Sequence, residues 1–206
     1  MGFYENKILP FVIDKACSMA PIMALREKIV PLASGVVLEV GMGSGINLAL
    51  YQADNIDFIW GLEPSEGMRK KARANLKNTN LKVKWLNLNG EDISLDDNSV
   101  DTVLLTYTLC TIPDWQQALQ QMRRVLKPGG KLLFCEHGLA PDRNIQNWQN
   151  RITPVWKKLA GGCHLNRRIP ELITSCGFKI DSLEQSYVDD APRIAGYMYY
   201  GTAVKN

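Results

Sequence analysis

Residues 36–45 of this 206-residue chain read Val-Val-Leu-Glu-Val-Gly-Met-Gly-Ser-Gly, and this stretch decides the fold. Four apolar residues around Glu39 are typical of a buried strand, and three glycines follow at alternate positions. Without a Cβ atom, glycine lets the backbone turn tightly and come close to a ligand. A helix that begins near Gly45 would direct its free N–H groups towards that ligand. The stretch therefore predicts a ligand-binding turn between a strand and a helix.

The spacing of the glycines separates two kinds of cofactor that use such a turn. A dinucleotide-binding loop follows G-x-G-x-x-G and needs a small residue at its sixth position, where helix and strand pack. Ile46 occupies that position here, and the third glycine, Gly45, comes one residue earlier. Glu39, two residues before Gly41, also suits a cationic ligand better than a pyrophosphate. The loop therefore disfavours a nicotinamide-dependent oxidoreductase, which stays as an alternative.

Composition and charge are those of an ordinary globular domain. The net charge is +3, and the densest basic run, residues 69–73, is typical of a solvated helix face rather than of a nucleic-acid site. No apolar run approaches the roughly 20 residues that span a bilayer, and the charged N-terminus is unlike a secretory signal. Five scattered cysteines favour reduced thiols in the cytoplasm. Nothing in the sequence specifies an oligomeric state.

Strand and helix patterns alternate along most of the chain, which predicts a parallel sheet with helices on both faces. Ser65 is a good cap for one helix, and Pro128-Gly129-Gly130 should end another. The last two strands are too close in sequence for a parallel crossover, so they should be antiparallel. The strands are predicted at 36–40, 57–62, 81–86, 100–106, 131–136, 178–188 and 195–204, and the helices at 45–53, 66–77, 114–127 and 169–176.

Two motifs carry a resemblance to a known family. The E-x-G-x-G-x-G pattern at 39–45 resembles the S-adenosylmethionine (SAM) loop of class I methyltransferases, and R-V-L-K-P-G-G at 124–130 resembles their helix-to-strand signature. The resemblance implies a Rossmann-like α/β fold, whose seven-stranded sheet is mostly parallel and ends in an antiparallel C-terminal pair. It also implies SAM as cofactor and S-adenosylhomocysteine as product. The implied cofactor-binding residues are Glu39, Gly41, Gly43, Glu63, Pro64, Asn89, Gly90, Glu91, Thr106 and Leu109.

Each group of these residues has a distinct expected contact. Glu63 lies 20 residues beyond Gly43, and its carboxylate can accept both ribose hydroxyls. The turn at 89–91 resembles the adenine-binding turn, although many relatives carry Asp where this chain has Asn89. The segment 106–109 resembles the part of the family that touches the methionine portion of SAM.

The resemblance divides a single domain, 1–206, into three parts: an N-terminal helical lid (1–33), a SAM-binding core (34–138), and a substrate-side insertion with a C-terminal β-hairpin (139–206). Cys-Glu-His-Gly at 135–138 and Gly-Gly-Cys-His-Leu-Asn at 161–166 look like a group of small bacterial methyltransferases and, more loosely, like animal thiol methyltransferases. The core also looks like quinone-biosynthesis methyltransferases.

The apolar character of the first and last parts indicates a lid over a hydrophobic pocket and a small, apolar substrate. The resemblance favours a thiol as this substrate. Two alternatives stay open. One is N-, O- or C-methylation of a phospholipid, quinone or natural product, and the other is a non-catalytic SAM-binding scaffold or partner subunit. Each of these functions is compatible with peripheral contact with a membrane.

The chain has two histidines that could act on a substrate. His137 follows the fifth strand at the carboxyl edge of the sheet, where open α/β sheets bind ligands. His164 lies in the glycine turn 161–164, which could fold over the same pocket. Cys135, His137, Cys163 and His164 are soft ligands of the kind zinc prefers, but their spacings are poor for a zinc site. The sequence therefore predicts no bound metal.

Overall fold

A computed structural model describes residues 14–15, 17–86 and 90–205 of the chain. Asn89 lies outside these residues, as do residues 1–13 and 16 of the predicted lid. The strands are β1 (Gly35–Val40), β2 (Ile56–Leu62), β3 (Val83–Leu86), β4 (Val100–Thr106), β5 (Leu126–His137), β6 (Phe178–Tyr187) and β7 (Tyr197–Lys205). The α-helices are α1 (Ala20–Ile29), α2 (Glu66–Leu76), α3 (Trp115–Val125), α4 (Arg143–Leu159) and α5 (Ile169–Ser175).

The seven strands form one sheet in the order β3-β2-β1-β4-β5-β7-β6. The first five strands are parallel, whereas β7 is antiparallel to both β5 and β6. This confirms the predicted class I methyltransferase sheet with its antiparallel C-terminal pair. The chain order reverses between β1 and β4, so the carboxyl ends of these two strands border a crevice suited to a ligand.

The central strands are buried because helices cover both faces of the sheet. Six of the seven residues of β4 are buried. The side chain of Asp114 caps α3 by accepting a 2.9 Å hydrogen bond from the Gln117 N–H. Helical spacing then places Ala118, Leu119, Met122 and Val125 on one buried face against the sheet.

The helix predicted at 45–53 is wrong. The chain forms only a short 3₁₀ turn, Ile46–Ala49, after Gly45. The physical reason is a buried polar network: the side chains of Asn47 and Tyr51 both hydrogen-bond Glu39 at 2.7 and 2.8 Å. These bonds hold the segment against the end of β1 instead of letting it continue as a regular helix.

The described part of the N-terminal segment packs across the carboxyl edge of the sheet. Leu25 and Ile29 of α1 join a core cluster that includes Leu133 of β5 and Met198 of β7. Ahead of α1, Asp14 accepts a hydrogen bond from the Ser44 hydroxyl of the glycine loop. None of the described helices is both long and apolar enough to cross a membrane.

Candidate functional site

The glycine loop has a backbone conformation that other residues rarely adopt. Gly41, Gly43 and Gly45 have φ values of +74°, +58° and +76°, in the left-handed region. A Cβ atom on Gly41 would lie 2.3 Å from Oγ1 and 2.5 Å from Cγ2 of Thr108. The loop therefore depends on glycine both for its turn and for its close approach to the segment after β4.

Glu63 stands beside this loop at the end of β2. Its two carboxylate oxygens accept hydrogen bonds from the backbone N–H groups of Gly43 (2.9 Å) and Ser65 (2.8 Å). Burial raises the pKa of Glu63, although the two backbone donors oppose that shift. Each oxygen keeps further acceptor capacity, so the side chain is held in place and could still accept hydrogen bonds from a pair of hydroxyls.

A buried polar network lies behind the loop. Asn47 and Tyr51 donate to Glu39, and one Arg26 nitrogen donates to Asn47 Oδ1 (2.8 Å) and to Thr106 Oγ1 (2.7 Å). Glu39 is only 1% exposed, and its burial raises its pKa to about 7. The carboxylate thus supports the residues around the ligand crevice instead of facing into it, and its predicted contact with the cofactor stays a prediction.

The crevice between α1 and the carboxyl ends of β1 and β4 contains a cavity. Its lining includes Asp14, Arg26, Gly41, Gly43, Thr106 and Tyr107. Within the described residues, the buried Nε of Arg26 has no hydrogen-bond partner. A buried cationic donor without a partner is suited to an anionic group of a ligand. Sequence reasoning missed Arg26 and Asn47; the one available signal was an arginine beside the apolar residues that α1 buries.

The remaining predicted cofactor residues have varied surroundings. Gly90 is closely packed, since a Cβ atom there would lie 3.1 Å from Ile112 Cδ1. The carboxylate of Glu91 accepts a long hydrogen bond from the Asp114 N–H, and the Pro64 carbonyl accepts one from Arg69. Their contacts with a cofactor stay predictions.

Leu109 is the predicted contact that fits the structure least. Its side chain is fully buried in the core. Its N–H donates to Glu136 Oε1 at 3.1 Å, and its carbonyl accepts a hydrogen bond from Arg167. Both backbone polar groups of Leu109 are therefore already engaged within the protein.

A second polar cluster brings together three separate parts of the chain. The metal-ligating atoms of Cys110, His137 and Cys163 all lie within 4.8 Å of one another. The Cys163 sulfur lies 3.2 Å from His137 Nε2, and the imidazole stacks on the ring of Tyr107 with the ring centroids 6.3 Å apart. Because Tyr107 also lines the cavity, it connects the two regions.

The charges of this cluster favour a thiolate. A hydrogen bond from the Cys110 thiol, together with the adjacent imidazole, holds the pKa of Cys163 well below its usual range despite burial. Burial, the largest single effect, lowers the pKa of His137, but the bond to Cys163 and the negative charges of Cys163 and Glu136 together outweigh burial and raise it. The pair therefore has the character of a thiolate beside an imidazolium.

Glu136 and His164 do not extend this cluster. The carboxylate of Glu136 faces away from the imidazole of its neighbour and accepts hydrogen bonds from the N–H groups of Thr108 (2.8 Å) and Leu109. The imidazole of His164 lies 3.1 Å from the carbonyl of Cys110 through Nδ1. The structure thus places His137 in the cluster, whereas the side chain of His164 stabilises the turn that contains Cys110.

Comparison with known proteins agrees with this architecture. Residues 38–134 match the family described as a methyltransferase domain. The match covers the glycine loop, Glu63 and the R-V-L-K-P-G-G signature, and the seven-stranded sheet has the strand order derived above. The chain belongs to the class I SAM-dependent methyltransferases, and its cofactor is SAM.

Particular relatives differ in the substrate that their names give. The chain is 32% identical over 152 residues to thiol S-methyltransferase TMT1B of Rattus norvegicus, covering 72% of this chain and 62% of that protein. It is 28% identical over 119 residues to demethylmenaquinone methyltransferase of Clavibacter sepedonicus, covering 58% of this chain and 48% of that protein. The chain therefore spans about three fifths and about half, respectively, of the length of these curated relatives.

A solved structure shows the same fold. A SAM-dependent methyltransferase from Methanosarcina mazei superposes with a TM-score of 0.65 at 21% identity, covering 82% of this chain and 92% of that one. At this identity, the likeness shows the fold alone.

The residues around the cavity fit SAM on grounds independent of these comparisons. Gly41 and Gly43 of the glycine loop line the cavity, and the unpartnered Nε of Arg26 suits the carboxylate of an amino acid. Glu63 would hold the ribose hydroxyls, and Arg26 would hold the carboxylate of the methionine portion. Arg26 lines the cavity and Glu63 bonds to Gly43 of its lining, and the contacts of both residues with the cofactor stay predictions.

The buried carboxyl of Glu39 makes stability depend on pH. Burial raises its pKa from 4.5 to about 7, so between these values the folded chain keeps a proton that the unfolded chain has released. The free energy of unfolding should therefore fall as the pH rises from 5 to 8, by roughly 3 kcal/mol from this group. Chemical unfolding of the Glu39→Gln variant across this range should show a smaller slope than the unmodified protein.

Glu66→Gln is the matched control, because Glu66 is exposed on α2 and forms ion pairs with Arg69 and Arg73. Its pH dependence between 5 and 8 should match that of the unmodified protein. If the free energy of unfolding of Glu39→Gln depended on pH as steeply as that of the unmodified protein, the Glu39 carboxyl would not be the source of the pH dependence. The raised pKa of Glu63 acts in the same direction, so the difference between variants is the quantity to measure.

Proposed function

We propose that this chain transfers the methyl group of SAM to the sulfur of a small, apolar thiol. The observation that carries the proposal is that Tyr107, which lines the cofactor cavity, stacks on His137 of the Cys110–His137–Cys163 cluster. A polar cluster placed there would meet the substrate, whereas a scaffold that only bound SAM would need no such cluster.

The chemistry divides between the cofactor and the protein. When bound, SAM supplies a methyl group already activated by its sulfonium. The protein has to orient the acceptor in line and exclude water, and positioning of this kind can contribute on the order of 7–11 kcal/mol. Arg26, Glu63 and the glycine loop would orient the donor, while the 161–164 turn would close the acceptor side.

Two observations support a thiol over other acceptors. The relative with the named substrate class, rat thiol S-methyltransferase TMT1B, aligns over 72% of this chain. A thiol with a pKa of about 8.5 also needs less help to lose its proton than an alcohol does. The likeness to demethylmenaquinone methyltransferase keeps a quinol as the second candidate.

The test measures S-adenosylhomocysteine formation with matched pairs of acceptors. An aliphatic or aromatic thiol is compared with the alcohol of the same carbon skeleton, and quinols, phospholipids and amines complete the panel. We expect turnover of the thiol and none of its paired alcohol. Turnover of a quinol or phospholipid without turnover of thiols would overturn S-methylation and favour the second candidate.

A binding measurement separates loss of catalysis from loss of the cofactor. Because a ligand that binds only the folded state stabilises it, S-adenosylhomocysteine should raise the melting temperature whereas NAD should not. Stabilisation without turnover of any acceptor would favour the non-catalytic scaffold. Stabilisation by NAD alone would overturn the assignment of the cofactor site.

A further inference from the structure

We infer that Cys110, His137 and Cys163 bind a zinc ion whose fourth coordination position takes the thiol substrate as its thiolate. This inference rests on the proposed thiol S-methylation and names how the acceptor is held. It changes the sequence-based prediction of no bound metal, because that prediction considered a different set of ligands.

The donor set is that of a catalytic zinc site. Two cysteine sulfurs and one imidazole nitrogen converge with all three atoms within 4.8 Å of one another. Zinc bonds of about 2.3 Å to sulfur and 2.0–2.1 Å to nitrogen in a tetrahedral site place such atoms roughly 3.5–3.8 Å apart. The 3.2 Å contact between Cys163 Sγ and His137 Nε2 needs to lengthen by only a few tenths of an ångström. Three protein ligands leave one position open.

The cluster is preorganised by bonds that do not involve the three ligands' own side chains. The Cys110 carbonyl accepts a 2.9 Å hydrogen bond from the His164 N–H, which joins the turns that carry the two cysteines. The guanidinium of Arg167 donates to the carbonyls of Leu109 and Ile112 (2.8 Å), on either side of Cys110. Secondary contacts of this kind hold metal ligands in position.

The balance of charge also fits a divalent cation. Zinc with two thiolates and a neutral imidazole has no net charge, which suits a site where Cys110 and His137 are buried. A third, substrate thiolate would add one negative charge, and the nearby buried cation of Arg167 would compensate it. The carboxylate of Glu136 accepts hydrogen bonds from backbone N–H groups through Oε1, and it is not among the ligand atoms that converge.

The open position has a route for a substrate, and the site meets the cofactor cavity at Tyr107. Cys163 is only partly buried, so an acceptor can approach from the side of the 161–164 turn. On the opposite side, His137 stacks on Tyr107, which lines the cofactor cavity. The acceptor sulfur would thus be held between the solvent and the cofactor.

Zinc coordination would supply the step that a neutral thiol lacks. On binding, the thiol S–H bond breaks, the proton leaves to solvent, and the sulfur stays on zinc as a thiolate. A sulfur lone pair then forms the new S–CH₃ bond while the methyl–sulfonium bond breaks and its electron pair remains on S-adenosylhomocysteine. The product is a neutral thioether, a weaker ligand, which can leave the metal.

The four soft ligands considered from the sequence are divided by the fold. Cys135 lies on β5 two residues before His137, on the same face of the strand, but its side chain is fully buried in the core and is not among the grouped ligand atoms. His164 is directed to the Cys110 carbonyl. Cys110 takes the place of Cys135 and His164 as a ligand, because the loop after β4 lies beside the 161–164 turn.

The experiment measures metal binding directly. Reduced, chelator-treated protein is titrated with Zn²⁺ and, separately, with Co²⁺, whose thiolate charge-transfer bands report sulfur ligands. We expect one zinc per chain in the unmodified protein and in the control Cys176→Ser, whose cysteine lies away from the cluster in α5's C-terminal turn. Cys110→Ser and Cys163→Ser should each weaken zinc binding at least roughly tenfold.

The cobalt form also tests the open position without any methyl transfer. Adding the thiol substrate should intensify the charge-transfer bands, whereas its paired alcohol should leave them unchanged. Zinc binding that Cys163→Ser does not weaken, or no zinc binding at all, would overturn the inference. Undiminished thiol methylation by metal-free protein would also overturn it while the proposed function stood. Failure of thiol methylation in the zinc-loaded protein, with SAM bound, would instead count against the proposed function.

Discussion

Replacing Gly41 by alanine should abolish measurable binding of S-adenosylhomocysteine and lower the stability of the fold. The residue has a φ of +74°, and the added Cβ atom would overlap both branches of the Thr108 side chain at 2.3 and 2.5 Å. The left-handed backbone alone costs on the order of 1–2 kcal/mol for a residue other than glycine. The overlap adds to this cost and moves the loop that forms the floor of the cofactor cavity.

Gly129→Ala is the matched control for the backbone effect. Gly129 has nearly the same φ, +77°, but nothing lies within 4 Å of an added Cβ atom. This control should lose a similar amount of stability from the backbone and keep its affinity for S-adenosylhomocysteine. Chemical unfolding and calorimetric titration of both variants separate the two effects. Equal affinities in both variants would show that the close approach of Gly41 to Thr108 is not needed for binding.

Replacing Arg26 by methionine should have the second large effect. Arg26 is 4% exposed and is the buried cation nearest to Glu39, Asn47 and Thr106. Its loss leaves acceptors without a donor and a buried carboxyl without a compensating charge. Changes of this kind in buried networks cost about 3–5 kcal/mol, and we expect a loss of that size in the free energy of unfolding.

A pair of ligands distinguishes a binding role of Arg26 from a purely structural one. S-adenosylhomocysteine carries the amino-acid carboxylate, whereas 5′-methylthioadenosine lacks it. If Arg26 binds this carboxylate, Arg26→Met should weaken binding of the first ligand by roughly 10- to 100-fold and leave binding of the second nearly unchanged. Equal losses for both ligands would restrict Arg26 to a structural role. Lys28→Met, at an exposed position of the same helix, should change neither affinity nor stability appreciably.

Much of the fold could be predicted because its signals are local. The apolar run 36–40, the three glycines and the Pro-Gly-Gly at 128–130 specify backbone conformations through residues adjacent in sequence. The prediction failed after Gly45, where a helix was expected and a 3₁₀ turn forms. There the outcome depends on hydrogen bonds from Asn47 and Tyr51 to Glu39 in the core. No local sequence pattern predicts these bonds.

The candidate site divides in the same way. The positions of the glycine loop and of Glu63 could be predicted, since a motif places them at fixed points of one strand–turn–strand segment. Arg26 could not, because its partners Asn47 and Thr106 lie 21 and 80 residues away. The resemblance in sequence predicted which cofactor binds, whereas the contacts of each side chain could be seen only in the structure.

By itself, the sequence determined the class of sheet, the glycine loop and the carboxylate at the end of β2, because each depends on backbone preferences and on residues close in the chain. Only the tertiary structure decided that Cys110, His137 and Cys163 meet. Their distances along the chain are large, and they converge because the carboxyl ends of β4 and β5 lie side by side in a parallel sheet. The turn after α4 then closes on the same edge and brings the third ligand.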